Sequence, residues 1–149
     1  MRAVVQRASS ARVTIDGAEV GAIELGLVVL LGISIDDARE QSAWMVDKLL
    51  NLRIFTDEDD KMNRSLVDVA GAALVVSQFT LYGDTRKGRR PSFVRAAGGP
   101  EAEALYEEVV RGIRAAGVPC ETGRFGAMMK VELVNDGPVT ILLDSEKQF

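Results

Sequence analysis

The chain contains no histidine among its 149 residues, so any proton transfer it performs runs without the commonest general base. It has one cysteine, Cys120, which excludes an intrachain disulfide and a zinc site built from cysteine and histidine. Within Val118-Pro119-Cys120-Glu121, that thiol reads as a small packed residue rather than a reactive one. No run reaches the roughly 18 apolar residues of a membrane helix. The longest, Leu25 to Ile33, is broken by glycines. The first residues, Met1-Arg2-Ala3-Val4-Val5-Gln6-Arg7, lack the apolar stretch of a signal peptide. A cytoplasmic location without membrane association is therefore expected. Positive charge is not in surplus either: 18 Lys and Arg against 22 Asp and Glu leave −4. This argues against coating nucleic acid by bulk charge but leaves room for a local basic patch.

Several chemical signatures are also missing. There is no phosphate-binding G-x-x-x-x-G-K-[ST] loop, no G-x-G-x-x-G fingerprint and no G-x-S-x-G elbow. Nucleotide hydrolysis, nicotinamide redox chemistry and a serine-hydrolase elbow all lose support, and no cofactor is expected. Asp57, Glu58, Asp59 and Asp60 lack the spacing of a calcium loop and read as a solvated turn, so no metal is expected.

What is present fits one domain over residues 1–149, long enough to bury a sizeable core. Val13 and Ile15 alternate before Asp16-Gly17, and Val20 and Ile23 follow it, which predicts strand, turn and strand. Gly26 to Ser34 is an apolar run of buried-strand length. Asp36 or Asp37 is suited to cap a helix carrying Ala43, Val46, Leu49 and Leu50. Leu52 to Phe55 predicts a short strand, and Ala72 to Leu81 a strong one. Pro100 fits the start of a second helix, with Ala102, Leu105, Tyr106, Val109, Val110, Ile113 and Ala116 on one face and Gly117 at its end. Met128 to Val134 and Val139 to Leu143 predict two strands joined by Asn135-Asp136-Gly137-Pro138. Two helices are too few to cover an all-parallel sheet on both faces. The expectation is an α+β domain with a mostly antiparallel, barrel-like sheet and two main helices.

Two segments stand out chemically. Ser77-Gln78-Phe79-Thr80-Leu81 places hydroxyls and an amide where an apolar strand runs out. Ser77 and Thr80 are candidate nucleophiles that lack an obvious base, or they cap a strand end through hydrogen bonds. Strand alternation would point Ser77 and Phe79 one way and Gln78 and Thr80 the other. Asn135-Asp136-Gly137-Pro138-Val139-Thr140 is either a hairpin turn or a rigid backbone element, since X-Pro is where cis peptides occur. Arg86, Lys87, Arg89 and Arg90 then put four cations within five residues. They read as a solvated loop or as contacts for a phosphate backbone.

These two segments resemble the signature motifs of D-aminoacyl-tRNA deacylases, and the likeness runs through nearly the whole chain. It includes Val5-Gln6-Arg7, Arg53-Ile54-Phe55, Lys61-Met62-Asn63, Gly88-Arg89-Arg90-Pro91-Ser92-Phe93, Ala104-Leu105-Tyr106 and Thr122-Gly123-Arg124-Phe125-Gly126-Ala127. The resemblance implies hydrolysis of the ester joining a D-amino acid, or mischarged glycine, to tRNA. The implied partner is aminoacylated tRNA, and the implied assembly is a homodimer with active sites at the interface. Gly137 and Pro138, joined by a cis bond, would be the chiral filter reaching into the partner's site, and Arg7 would support their loop. Ser77, Gln78, Phe79 and Thr80 would line the ester. Either Thr80 is the nucleophile or the ribose 2′-hydroxyl helps to activate water. The resemblance further implies oxyanion donors near Phe79 and Ala102, and an adenine pocket at Gly126, Ala127 and Met128.

Overall fold

The computed structural model describes residues Met1–Phe149. Strands β1 (Arg2–Ile15) and β2 (Ala18–Ile23) form the expected hairpin around Asp16 and Gly17, both at positive φ. Strand β3 (Gly26–Gly32) follows, then helix α1 (Arg39–Asn51) and a small hairpin, β4 (Phe55–Thr56) and β5 (Met62–Arg64). Next come β6 (Ala72–Ser77), a 3₁₀ turn (Phe79–Tyr82), α2 (Gly99–Ala115), β7 (Cys120–Thr122) and β8 (Lys130–Asp144). No helix is long and apolar enough to cross a membrane.

The main sheet runs β2-β1-β3-β6-β7, with β8 added to β1. It curls until β2 packs against β6 and β7 without a hydrogen-bonded ladder, so it is nearly barrel-shaped. The α+β class holds, but the sheet is mixed. β1 pairs antiparallel with β2, β3 and β8, whereas β3–β6 and β6–β7 are parallel. The reason is connectivity. Parallel neighbours need a crossover, and α1 and α2 each lie within one.

Both faces of β3 and β6 are buried, which accounts for their continuous apolar runs. Leu27, Val29, Leu31, Ala73 and Val75 face a core completed by Met45, Leu49, Tyr106, Val109 and Ile113 from the helices. Val28, Leu74 and Val76 point the other way into a smaller cluster with Ala8, Ala11 and Val13. Tyr106 sits among these side chains and donates its hydroxyl to the Val75 carbonyl at 2.8 Å, fixing α2 to the sheet.

Four expectations need correction. β6 stops at Ser77 rather than Leu81, because its neighbour β3 stops at Gly32. Gln78 N–H still reaches the Leu31 carbonyl at 2.8 Å, and then the chain turns. The short strand lies at Phe55–Thr56, where its partner Met62–Arg64 lies, not at Leu52 to Phe55. Asp36 and Asp37 do not cap α1. Ala38 occupies the N-cap, where Gln41 Oε1 accepts its N–H at 2.9 Å. Asp37 instead accepts the Ser34 N–H at 2.7 Å and pairs with the Met1 amino group.

The fourth correction bears on the site. Asn135-Asp136-Gly137-Pro138 does not close a hairpin, because both flanks pair with the same long strand, β1. Between Gln6↔Thr140 and Ser10↔Val134, four steps along β1 face six along β8, so β8 bulges outward there. Asn135 braces the bulge. Its Oδ1 accepts the Val139 N–H at 2.7 Å, and its Nδ2 donates to the Val139 carbonyl at 3.1 Å and the Thr140 hydroxyl at 3.2 Å.

Candidate active site

Where β6 gives way to the 3₁₀ turn, a cavity of about 640 Å³ opens. Its floor is Leu31, Ile33 and Val76. Ser77, Gln78, Phe79 and Thr80 all line it. Strand alternation would have split these four between two faces. The turn overrides it by rotating Phe79 and Thr80 off the strand axis. The Gln78 amide donates to the Thr80 hydroxyl oxygen, tying the two side chains together. The turn's first backbone bond runs from Leu81 N–H to Gln78 carbonyl at 3.3 Å. The N–H groups of Phe79 and Thr80 precede it, so they have no acceptor within the turn.

The opposite wall is Phe125, Gly126, Ala127, Met128, Met129 and Val131, with Met128 almost fully exposed at the mouth. Gly98 and Gly99, at the start of α2, complete the rim with Phe93, Ala96 and Ala97. Ala102 is not part of this wall. Because α2 begins at Gly99, residue 102 falls on the core-facing stripe with Tyr106, Val109 and Ile113, and it is buried there. No lining residue carries an ionisable side chain.

Gly137 and Pro138 lie elsewhere. They are exposed at the tip of the β8 bulge and do not line this chain's cavity. Their peptide bond is cis, and Gly137 has φ +154°. Arg7 grips the base of the bulge. Its Nε donates to the Asp136 carbonyl at 2.7 Å and its Nη1 to the Ile54 carbonyl at 2.7 Å. One planar guanidinium thus ties the bulge to the segment before β4.

The basic loop projects from the Asp84–Ser92 bridge. Arg86 is engaged by Asp84, with Nη2 to Oδ2 at 2.6 Å and Nε to Oδ1 at 2.9 Å. Those hydrogen bonds hold the Asp84 carboxyl well below the usual carboxylate range. Lys87, Arg89 and Arg90 are exposed and make no ion pair, so three of the four cations remain available.

Residue-type reasoning missed Phe93, Phe125, Met129, the Ala96–Gly99 rim and the bracing role of Asn135. No periodicity marks them: the lining residues sit in loops or at element ends, and Asn135 sits where β8 bulges. Cys120 is buried in β7, and burial pushes its thiol up to about 11. A thiol reagent at pH 8 is expected to leave Cys120 unlabelled in native protein and to label it fully in denaturant. Rapid native labelling would contradict this packing.

The sequence profile of the family described as D-Tyr-tRNA(Tyr) deacylase matches residues 4–144. The chain belongs to that family. As a deacylase family member it is a hydrolase. It is 62% identical to the D-aminoacyl-tRNA deacylase of Koribacter versatilis (strain Ellin345) and 60% identical to that of Clostridioides difficile (strain 630). Both alignments cover 100% of each chain. Among solved structures, c-Myc DNA Unwinding Element Binding Protein superposes with a TM-score of 0.92 and 44% identity, covering 97% of this chain and 99% of that one. A probable eukaryotic D-amino acid tRNA deacylase shares the fold, with a TM-score of 0.81 at 22% identity over 95% of this chain and 97% of that one. These likenesses identify the deacylase fold. The roles of individual side chains rest on the geometry above.

Proposed function

We propose that this deacylase hydrolyses the ester between a D-amino acid, or mischarged glycine, and the terminal ribose of tRNA. It works as a homodimer in which the Gly137–Pro138 bulge of one copy closes the cavity of the other. The observation that carries this reading is the placement of the two motifs. The Ser77–Thr80 turn lines a cavity, while Gly137 and Pro138 are exposed on the β8 bulge and do not line it. β8 pairs only with β1, so its other edge is open along 15 residues for a second copy. The cavity then takes the terminal nucleoside, with Gly126, Ala127 and Met128 beside the adenine. Lys87, Arg89 and Arg90 meet backbone phosphates.

In the reaction, water adds to the ester carbonyl and the carbonyl oxygen becomes an oxyanion. The N–H groups of Phe79 and Thr80, which have no acceptor within the turn, receive that charge. Collapse of the adduct expels the ribose oxygen, which takes a proton, and releases the free amino acid. No lining side chain is a base, which favours the ribose 2′-hydroxyl as the group that helps to activate the water. The Thr80 oxygen already accepts a hydrogen bond from Gln78, which makes it a poorer nucleophile. The Gly137 and Pro138 carbonyls would hold the α-amino group, and backbone would fill the space an L side chain needs. Glycine passes because it has no side chain.

The decisive experiment is release of tyrosine from D- and L-tyrosyl-tRNA by purified protein. Selective loss of the D-ester is expected, and equal rates would refute the reading. Thr80→Ala is expected to keep kcat within about tenfold of wild type, since only a positioning hydrogen bond of about 1 kcal/mol is lost. Complete inactivation with unchanged tRNA binding would restore Thr80 as nucleophile. The pH profile should also lack a bell. With no titratable side chain in the cavity, kcat is expected to show no inflection from an enzyme acid or base between about pH 5 and pH 8. An inflection that moves with an enzyme substitution would disprove this.

A second reading, DNA binding without catalysis, draws on the name of the relative at 44% identity. It predicts DNA affinity that survives substitution of Gly137 and Pro138, with no ester cleavage.

A further inference from the structure

Phe93 is 14 residues beyond Phe79 in sequence, yet its ring forms the neighbouring wall of the cavity. The two rings meet edge to face, with centroids 5.0 Å apart and planes at 67°. This is a favoured orientation for an aromatic pair. The packing continues through Gly83. A side chain there would lie 3.1 Å from Phe93 Cε1 and 3.0 Å from the Thr80 carbonyl oxygen. Ring and turn therefore meet with no slack.

The two rings hang from different segments, each with its own backbone pairing. Phe93 is held on both sides by backbone pairing. Upstream, Asp84 and Ser92 exchange N–H bonds at 2.8 and 2.9 Å. Downstream, Ala96 N–H reaches the Phe93 carbonyl at 2.9 Å and Ala97 N–H reaches the Ile33 carbonyl at 2.9 Å. Phe79 belongs to a four-residue turn and is half exposed; Gln78 N–H to the Leu31 carbonyl at 2.8 Å and Gly83 N–H to the Thr80 carbonyl at 2.9 Å flank it, while the turn's first closure is a longer 3.3 Å bond. The Phe93 ring packs where that longer closure lies.

We propose that Phe93 is a positioning residue for ester hydrolysis. Its ring fixes Phe79 and, through it, the direction of the Phe79 and Thr80 N–H groups at the developing oxyanion. This rests on the proposed function and adds a residue outside the turn that governs its geometry. Phe93 acts on the turn rather than on bound substrate, so its loss should appear in kcat and not in KM.

The test is steady-state cleavage of D-tyrosyl-tRNA by the full chain. Phe93→Ala is expected to lower kcat about tenfold or more while KM stays within about twofold. Phe93→Tyr, which keeps the ring, should restore kcat to within about threefold of wild type. A raised KM with unchanged kcat would mean that Phe93 touches substrate directly and would overturn the assignment. Unchanged kinetics, or failure of tyrosine to rescue, would also overturn it. If Phe93→Ala does not fold by circular dichroism, Gly83→Ala gives the second reading. It pushes ring and turn apart while keeping both phenylalanines, and it should reproduce the kcat-only loss. Wild-type kcat in that variant would overturn the proposal. Wild-type protein that leaves the D-ester intact overturns the underlying function first, and is seen before any variant is compared.

Discussion

Replacing Gly137 by alanine is expected to cut the preference for D- over L-tyrosyl-tRNA by about a hundredfold, the scale of loss that a displacement near 1 Å causes at a reacting centre. A Cβ at this position would lie 2.7 Å from Val139 Cγ2, 2.8 Å from the Val139 nitrogen and 3.2 Å from Arg7 Nη2. Two of these neighbours cannot easily yield. The nitrogen is backbone, and Arg7 is already held by two carbonyls. The backbone angle of +154° is also one that L side chains rarely adopt. The bulge must therefore move. Cleavage of the D-ester should fall because the cavity is no longer closed. Cleavage of the L-ester should rise because backbone no longer fills the side-chain space. The strain is worth about 1–3 kcal/mol. It falls on an exposed bulge outside both core clusters, so the fold should survive. The measurement is kcat/KM for both esters with a thermal melt as control. A folded variant with an unchanged ratio would falsify the role assigned to this backbone.

Arg7→Ala is expected to lower the same selectivity by a comparable factor, and Arg7→Lys to recover less than about a tenth of it. The guanidinium makes two 2.7 Å bonds to carbonyls from different segments, Asp136 and Ile54. Charge-assisted bonds of this kind are worth about 1.5–3 kcal/mol each. An ammonium is a point charge on a flexible stem and cannot reproduce a planar fork. Without it the bulge keeps the bracing by Asn135 and the bond from Gln6 Nε2 to the Thr140 hydroxyl at its base. Selectivity should fall before stability does, because the bridge is half-buried and lies at the sheet margin. Full rescue by lysine would show that charge, rather than geometry, is what Arg7 supplies.

Where the local signal and the long-range pairing agree, the fold was legible. The β1–β2 hairpin follows from alternation around Asp16-Gly17. The stripe of α2 follows from Ala102 to Ile113, where burial and the 3.6 period coincide. Legibility failed where pairing decides. Nothing in Ala72 to Leu81 says that β3 ends at Gly32, so the strand was expected to continue. Gly137-Pro138 carries a turn signal, and only the length of β1 shows that both flanks of β8 have the same partner. The sheet's parallel pairs were hidden for a similar reason, because a crossover is a property of topology and not of any window of residues. The motifs themselves were visible, and so was the cluster of cations. That Asp84 ties up Arg86, that Ala102 faces the core and that Phe93 supports the turn are all consequences of tertiary placement.

The bulge in β8 also constrains how this sequence can drift. Val131 and Leu133 pack against the smaller core cluster, and Val139, Ile141 and Leu143 against the larger one, so buried positions are odd-numbered on both sides of the loop. That parity survives because the net excess of β8 over β1 is an even number of residues. Losing or gaining a single residue between Asn135 and Thr140 would turn one flank inside out. Natural variation in the loop should therefore come in pairs of residues or not at all. The spacing of the motif is thus guarded by the two core clusters that its flanks fill, independently of whatever the loop touches.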